Sequence, residues 1–96
     1  MSDIIIARLS TGEELIAKVK EDNALEYHLA DVLIIIPTKE NSIGLVPFMP
    51  YSNCYSDGLT IKKSFVLFAV TPHEDLLTRY QEITGSIITS SSKLTT

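Results

Sequence analysis

Tryptophan is absent from the chain, and cysteine occurs once, at Cys54. One thiol cannot close an internal disulfide, so the fold has to stand on packing, and the pattern suits a reducing compartment. Long hydrophobic runs are missing as well. No stretch approaches the roughly twenty apolar residues of a membrane helix. The start, Met1-Ser2-Asp3, lacks the basic segment and long apolar core of a secretory signal. The expectation is a cytoplasmic protein with no membrane contact. Cations are scarce: 8 Lys and Arg against 12 Asp and Glu leave a net charge of −4. That excludes a uniformly basic nucleic-acid coat. Any contact with a polyanion has to be local, made by a few cations that geometry concentrates.

Catalytic patterns are also lacking. There is no Gly-rich phosphate loop and no arguable Ser-His-Asp set. Glu13-Glu14 and Glu74-Asp75 fall at the start of a strand and of a helix, not as partners across a cleft. Cys54, His28 and His73 lack the paired spacing of a metal site. The chain reads as non-enzymatic, with no cofactor and no metal.

What is present is β-pattern. In a chain of 96 residues, enough for one domain, Asp3 to Ser10 reads as a strand with Ile5, Ala7 and Leu9 on one face. Thr11-Gly12 is a turn. Glu13 to Lys20 alternates, with Leu15, Ala17 and Val19 inward and Ile16 the exception, so the two segments form an antiparallel hairpin. Glu21-Asp22-Asn23 is a polar turn. In Leu25 to Ile36, Leu25, Tyr27 and Leu29 share a parity, but every residue from Val32 to Ile36 is apolar. Alternation fails there, which means either a bulge or burial on both faces, and in a small sheet it suggests a neighbouring subunit over the second face. Ile43 to Tyr51 carries Pro47 and Pro50, which confine it to an edge, a bulge or an ordered loop. Whether residues 43–61 form one broken strand or an added hairpin stays open. Leu59–Ile61 and Phe65–Val70 close the sheet. Thr71 as cap, Pro72 as first residue and Glu74 as capping-box carboxylate open a helix over about 72–84. Leu76, Leu77, Tyr80 and Ile83 form its apolar stripe, and Gly85 is its left-handed stop. Residues 86–96 are a Ser/Thr-rich tail expected to fray.

The segment Leu59 to Pro72, LTIKKSFVLFAVTP, stands out. Two strands joined through a basic bend point Lys62 and Lys63 outward. Such a pair is ordinarily a solvated turn, and it can also contact phosphate. Ser64 can donate to a phosphate or bond its own backbone. Asp22 and Asn23 are turn formers that can also reach a base edge. Tyr27 is assigned to the core and His28 to the outer face. Phe48, Met49, Tyr51 and Tyr55 can form a stacking platform or a partner patch, but the commoner case is that such residues cap the sheet or pack against the helix.

Two segments resemble the Sm-like small β-barrel family, the Sm, LSm and Hfq proteins. Leu9-Ser10-Thr11-Gly12-Glu13-Glu14-Leu15-Ile16-Ala17-Lys18-Val19, with Asp22 after it, is similar to the first Sm motif. Ile61-Lys62-Lys63-Ser64, the strand Phe65–Val70 and Thr71-Pro72 are similar to the second. The chain also resembles small Sm-like proteins of marine and cyanophage origin, which places it in a host cytoplasm. The resemblance implies a strongly bent five-stranded antiparallel barrel over residues 1–85, here with one C-terminal helix. It also implies a homo-oligomeric ring in which the last strand of one subunit pairs with the fourth of the next. Single-stranded RNA, or DNA, would bind through loops at the pore, with a role in RNA or DNA processing. Lys62 and Lys63 would contact phosphate, with Ser64, Asp22 and Asn23 as lesser candidates. The alternative is a protein-binding adaptor working through the Pro47–Tyr55 segment or the helix. The chain departs from the family in placing its helix after the barrel and in lacking the Met-Asn pair of the first motif. Lys63 also stands where the second motif has Gly or His, so a uridine pocket is not among the expectations.

Overall fold

The computed structural model describes residues 3–39 and 42–85; the expected tail at 86–96 lies outside them. The fold is mainly β. Six antiparallel strands form one sheet: β1 (Ile4–Leu9), β2 (Glu14–Asp22), β3 (Glu26–Pro37), β4 (Ile43–Pro47), β5 (Leu59–Lys62) and β6 (Val66–Val70). A single helical turn, α1 (Cys54–Asp57), precedes β5, and α2 (Glu74–Thr84) follows β6. None of the described helices is long and apolar enough to cross a membrane.

The strand order is β4-β3-β2-β1-β6, with β5 also on β3. The segment 43–61 is therefore a broken strand and not a hairpin. β4 pairs with Leu33–Pro37 and β5 with Glu26–Leu29, both along the edge of β3 that β2 leaves free. The expected count of five becomes six because residues 48–58, with Pro50 and the α1 turn, interrupt that edge. The sheet is also not closed into a barrel. Among the described residues, no ladder joins β6 to β4 or β5. It is strongly curled nonetheless, since Leu59 and Ile61 of β5 and Val66 of β6 pack on the same cluster as Leu9, Leu15, Ala17, Leu29 and Val32.

The β1–β2 turn is as expected. Gly12 takes a positive φ of 105°, and the Leu9 amide donates to the Glu13 carbonyl at 2.8 Å. β2 runs on through Glu21 and Asp22, which the sequence pattern assigns to a turn, because Lys20 is looped out as a bulge and Asp22 then pairs with Tyr27.

β3 answers the failed alternation. Ile16 pairs with Leu33 and Lys18 with Ala30, so Asp31 and Val32 together oppose Ala17. Asp31 supplies the bulge at φ 52°. Before it, the odd residues Tyr27 and Leu29 face the first cluster; after it, the even residues Val32 and Ile34 do. Leu33 and Ile35 turn to the other side and join Ile4, Ile16 and Tyr80 in a second cluster. Both readings of Val32–Ile36 therefore hold at once: the strand is bulged and buried on both faces. The chain's own α2 packs over this second cluster.

Tyr80 anchors that cover. It is 0% exposed, and its hydroxyl donates to the Asp31 carbonyl at 2.7 Å. Leu76 and Leu77 pack beside it, while Ile83, expected in the same stripe, is 47% exposed. The helix begins later than expected. His73, not Thr71, is the cap residue, it makes no side-chain cap bond, and Pro72 is buried in the connection instead of starting the first turn. Glu74 and Asp75 sit in that turn, where negative charge is favourable. Gly85 ends the helix in the left-handed region, its amide bonded to the Gln81 carbonyl.

Burial, and after it the Asp31 carboxylate, pushes the Tyr80 phenol well above its ordinary value. Tyr55, in the same cluster, is raised for the same reasons. A raised phenol stabilises the fold below the unfolded tyrosine value of about 10, and that stability drains away above it. Tyr80→Phe should cost about 1–2 kcal/mol at neutral pH, by leaving the bulge carbonyl without its donor. It should also flatten the loss of stability above a pH of about 10. Urea unfolding across pH measures both.

Candidate nucleic-acid interface

All five residues singled out by sequence lie at one rim of the sheet, where the β2–β3 turn meets the β5–β6 corner. The turn is built by Asn23. Its side-chain oxygen accepts the amides of Leu25 and Glu26, each at 2.9 Å, and its own amide donates to the Glu26 carbonyl at 3.1 Å. This is an Asx turn, so the carbonyl end of Asn23 is taken up by its own backbone. The corner is built by a 3-10 turn at Lys63–Phe65, closed by the Val66 amide on the Lys63 carbonyl. Phe65 in turn accepts the Ser10 amide at 2.9 Å.

Two interactions lock turn and corner together. The Lys63 amide donates to the Leu25 carbonyl at 2.8 Å. The Lys63 ammonium forms an ion pair with the Asp22 carboxylate, across 41 residues of sequence. That ammonium also lies over the Tyr27 ring, 4.8 Å from its centre. The ladder explains the meeting. Asp22 and Tyr27 are cross-strand partners, as are Tyr27 and Ile61, so all three share a face. Tyr27 is half-buried; its ring packs against the first apolar cluster, as expected, and also carries the cation.

The two lysines are not equivalent. Lys62 is exposed and stands opposite Glu26 in the ladder, while Lys63 turns to Asp22 and Tyr27. Lys62 makes no ion pair among the described residues. Ser64 is exposed beside them. A shallow depression of about 420 Å³ is bordered by Ala24, Leu25, Glu26, Lys62, Lys63 and Ser64. The simple expectation of a positive rim is modified here. Asp22 and Glu26 set two carboxylates beside the two ammonium groups.

Leu25 is the rim residue that sequence reasoning missed. Parity with Tyr27 and Leu29 assigned it to the core, yet it is 75% exposed at the turn. The available signal was Asn23, whose Asx turn places the strand start after Leu25. His28 lies on the outer face with Thr60, their Nδ1 and Oγ1 atoms 3.0 Å apart, and its Nε2 is 3.6 Å from Glu26.

The proposed patch of Phe48, Met49, Tyr51 and Tyr55 is not assembled as one surface. Phe48 packs into the first cluster and Tyr55 into the second, leaving Tyr51 as the fully displayed ring, at 85% exposure. The residues sit on opposite sides of the sheet because the segment passes around its edge. Cys54 is buried and donates to the Phe48 carbonyl at 3.1 Å, a structural contact. No group of three or more His, Cys, Asp or Glu side chains converges on a common point among the described residues.

Neither a protein-family model nor a curated protein matches the chain.

Asn23→Ala should cost about 1 kcal/mol, since two backbone donors lose their acceptor. Asn23→Asp keeps the acceptor and should retain most of the stability. Chemical denaturation of both variants checks this.

Proposed function

We propose that this chain is a non-enzymatic, Sm-like protein that assembles into rings and binds single-stranded nucleic acid, RNA in the first place, through Lys62 and Lys63 on a rim that Ser64, Asp22 and Asn23 complete. The observation that carries the reading is the convergence of the β2–β3 turn with the β5–β6 corner. Two short segments, singled out separately for their resemblance to the two Sm motifs, meet through the Asp22–Lys63 pair and the Lys63 amide.

The strand order lends support. Among the described residues, the sheet running from β6 through β1, β2 and β3 to a broken outer strand has one free edge at each end. Free edges invite pairing with another chain. At one end, β6 displays Leu67 at 63%, Phe68 at 46% and Val70 at 47% exposure; at the other, Val46 of β4 is 42% exposed. Unlike edges that complement each other make a head-to-tail contact, which closes into a ring when the rotation permits. A ring repeats the rim around an axis, so a chain of net charge −4 can still present a local array of lysines.

Ammonium groups on such a rim bind phosphate with release of counterions, which makes affinity fall with salt. Lys62 is the cation most open to a backbone phosphate. Lys63 and Ser64 extend the binding surface along the depression, and Leu25 offers an apolar surface at its edge. The adaptor reading is weaker, because Phe48 and Tyr55 are drawn into the two cores.

Fluorescence anisotropy with single-stranded RNA and DNA oligonucleotides over a salt series tests the binding site. Lys62→Ala and Lys63→Ala should each flatten the logarithmic salt slope, by about 0.7 for every phosphate that the variant no longer neutralises. Binding that is unchanged in the double variant would remove the site. Assembly is tested by light scattering. The wild type should be a multi-subunit particle, and Leu67→Asp should reduce it towards a monomer by setting a charge on the β6 edge. A wild type that is monomeric at micromolar concentration would overturn the ring.

A further inference from the structure

We infer that Asp22 is a built-in competitor for the nucleic-acid backbone: its carboxylate occupies Lys63 in the unliganded chain, and a ligand phosphate has to take its place. This rests on the binding reading above. Carboxylate and phosphate oxygens are alternative partners for the same ammonium, so an anion already seated on Lys63 stands where an incoming phosphate would stand.

Three features of the geometry make the pair an exchangeable one. First, Lys63 is anchored at the rim. Its amide donates to the Leu25 carbonyl at 2.8 Å, and its ammonium rests over the Tyr27 ring. The ring contact does not depend on which anion the ammonium faces. Second, Asp22 is held by the ladder. It is the last residue of β2, paired with Tyr27, and Asn23 turns the chain immediately after it. The carboxylate is thus presented to Lys63 by the backbone and does not depend on the ligand. Third, the pair faces solvent, with side-chain exposures of 33% for Lys63 and 54% for Asp22. An exposed pair contributes little to the fold, so breaking it costs little, and phosphate can reach it.

The consequence is a division of labour between neighbouring lysines. Lys62, without an ion pair among the described residues, makes the first contact with a strand. Lys63 is engaged only by a phosphate that outcompetes Asp22. An isolated anion gains little from that exchange, whereas a strand already held at Lys62 brings its next phosphate at high effective concentration. Asp22 thereby sets a threshold that favours polyanions over single phosphates.

The test is a double-mutant cycle on oligonucleotide affinity in the full chain. Asp22→Asn has nearly the same size and keeps the end of β2, and circular dichroism with a thermal midpoint checks that the variant is folded. It should tighten binding by about three- to fivefold, the upper end of what an exposed ion pair contributes. In a Lys63→Ala background the same change should tighten binding by no more than about twofold, since only a general charge effect then remains. Inorganic phosphate, added as a competitor, should inhibit Asp22→Asn at lower concentration than the wild type. An equal gain with and without Lys63, or no gain at all while the wild type binds, would overturn the competitor role and leave the binding reading standing. Oligonucleotide binding by Asp22→Asn where the wild type shows none would support it. If neither protein retains an oligonucleotide, the binding reading falls, and this inference with it.

Discussion

The bulge at Asp31 governs the rest of the molecule. A sheet strand offers alternate side chains to opposite faces, and one inserted residue reverses which set faces which way. In β3 that reversal falls midway. It gives the first cluster Tyr27 and Leu29 on one side of the bulge and Val32 and Ile34 on the other. Leu33 and Ile35 are thereby released to the opposite face, where they need cover. The Tyr80 hydroxyl, bonded to the Asp31 carbonyl at 2.7 Å, ties that cover to the bulge itself. One irregular backbone position thus sets the curl of the sheet, the split of the core in two and the seat of α2.

The same strand positions the rim. β2 spans one edge of β3, and the other edge is divided between β4 and β5. Because β5 pairs with the first residues of β3, the corner that follows it is delivered to the turn that precedes β3. Asp22, Tyr27 and Ile61 then share a face through two successive cross-strand pairs, and Lys63 follows them onto it. The insertion at 48–58 lengthens the path between β4 and β5 without disturbing this register, since Leu59 still pairs with Leu29 and Lys62 with Glu26.

Electrostatically the rim is close to balanced, which bears directly on any ligand. Lys63 is paired with Asp22, and Lys62 stands opposite Glu26 in the ladder. A single copy of such a surface would hold a phosphate weakly. In the proposed ring repetition would offset that weakness, and balanced charge in each subunit would favour a long strand over a short one.

Much of this was legible in the sequence. The alternation of Leu15, Ala17 and Val19 gives β2 its inner face, Thr11-Gly12 gives the first turn, and Gly85 ends the helix. The failure of alternation after Asp31 flagged the bulge. The basic corner and the acidic turn were each visible as short local patterns. The errors came where a local signal competes with a distant one. Leu25 had a core residue's parity, but the Asx turn of Asn23 leaves it outside. Thr71-Pro72 had the form of a helix start, but Pro72 is buried and the helix begins after His73. By itself the sequence determined the β1–β2 hairpin with its turn, the inner face of β2 and the stop of α2, because backbone preference and side-chain period act over a few residues. Tertiary structure alone decided that Asp22 meets Lys63, that Tyr80 closes on Asp31 and that the chain covers its own second face. Those meetings join positions dozens of residues apart, and pairing register, which no local pattern encodes, brings them together.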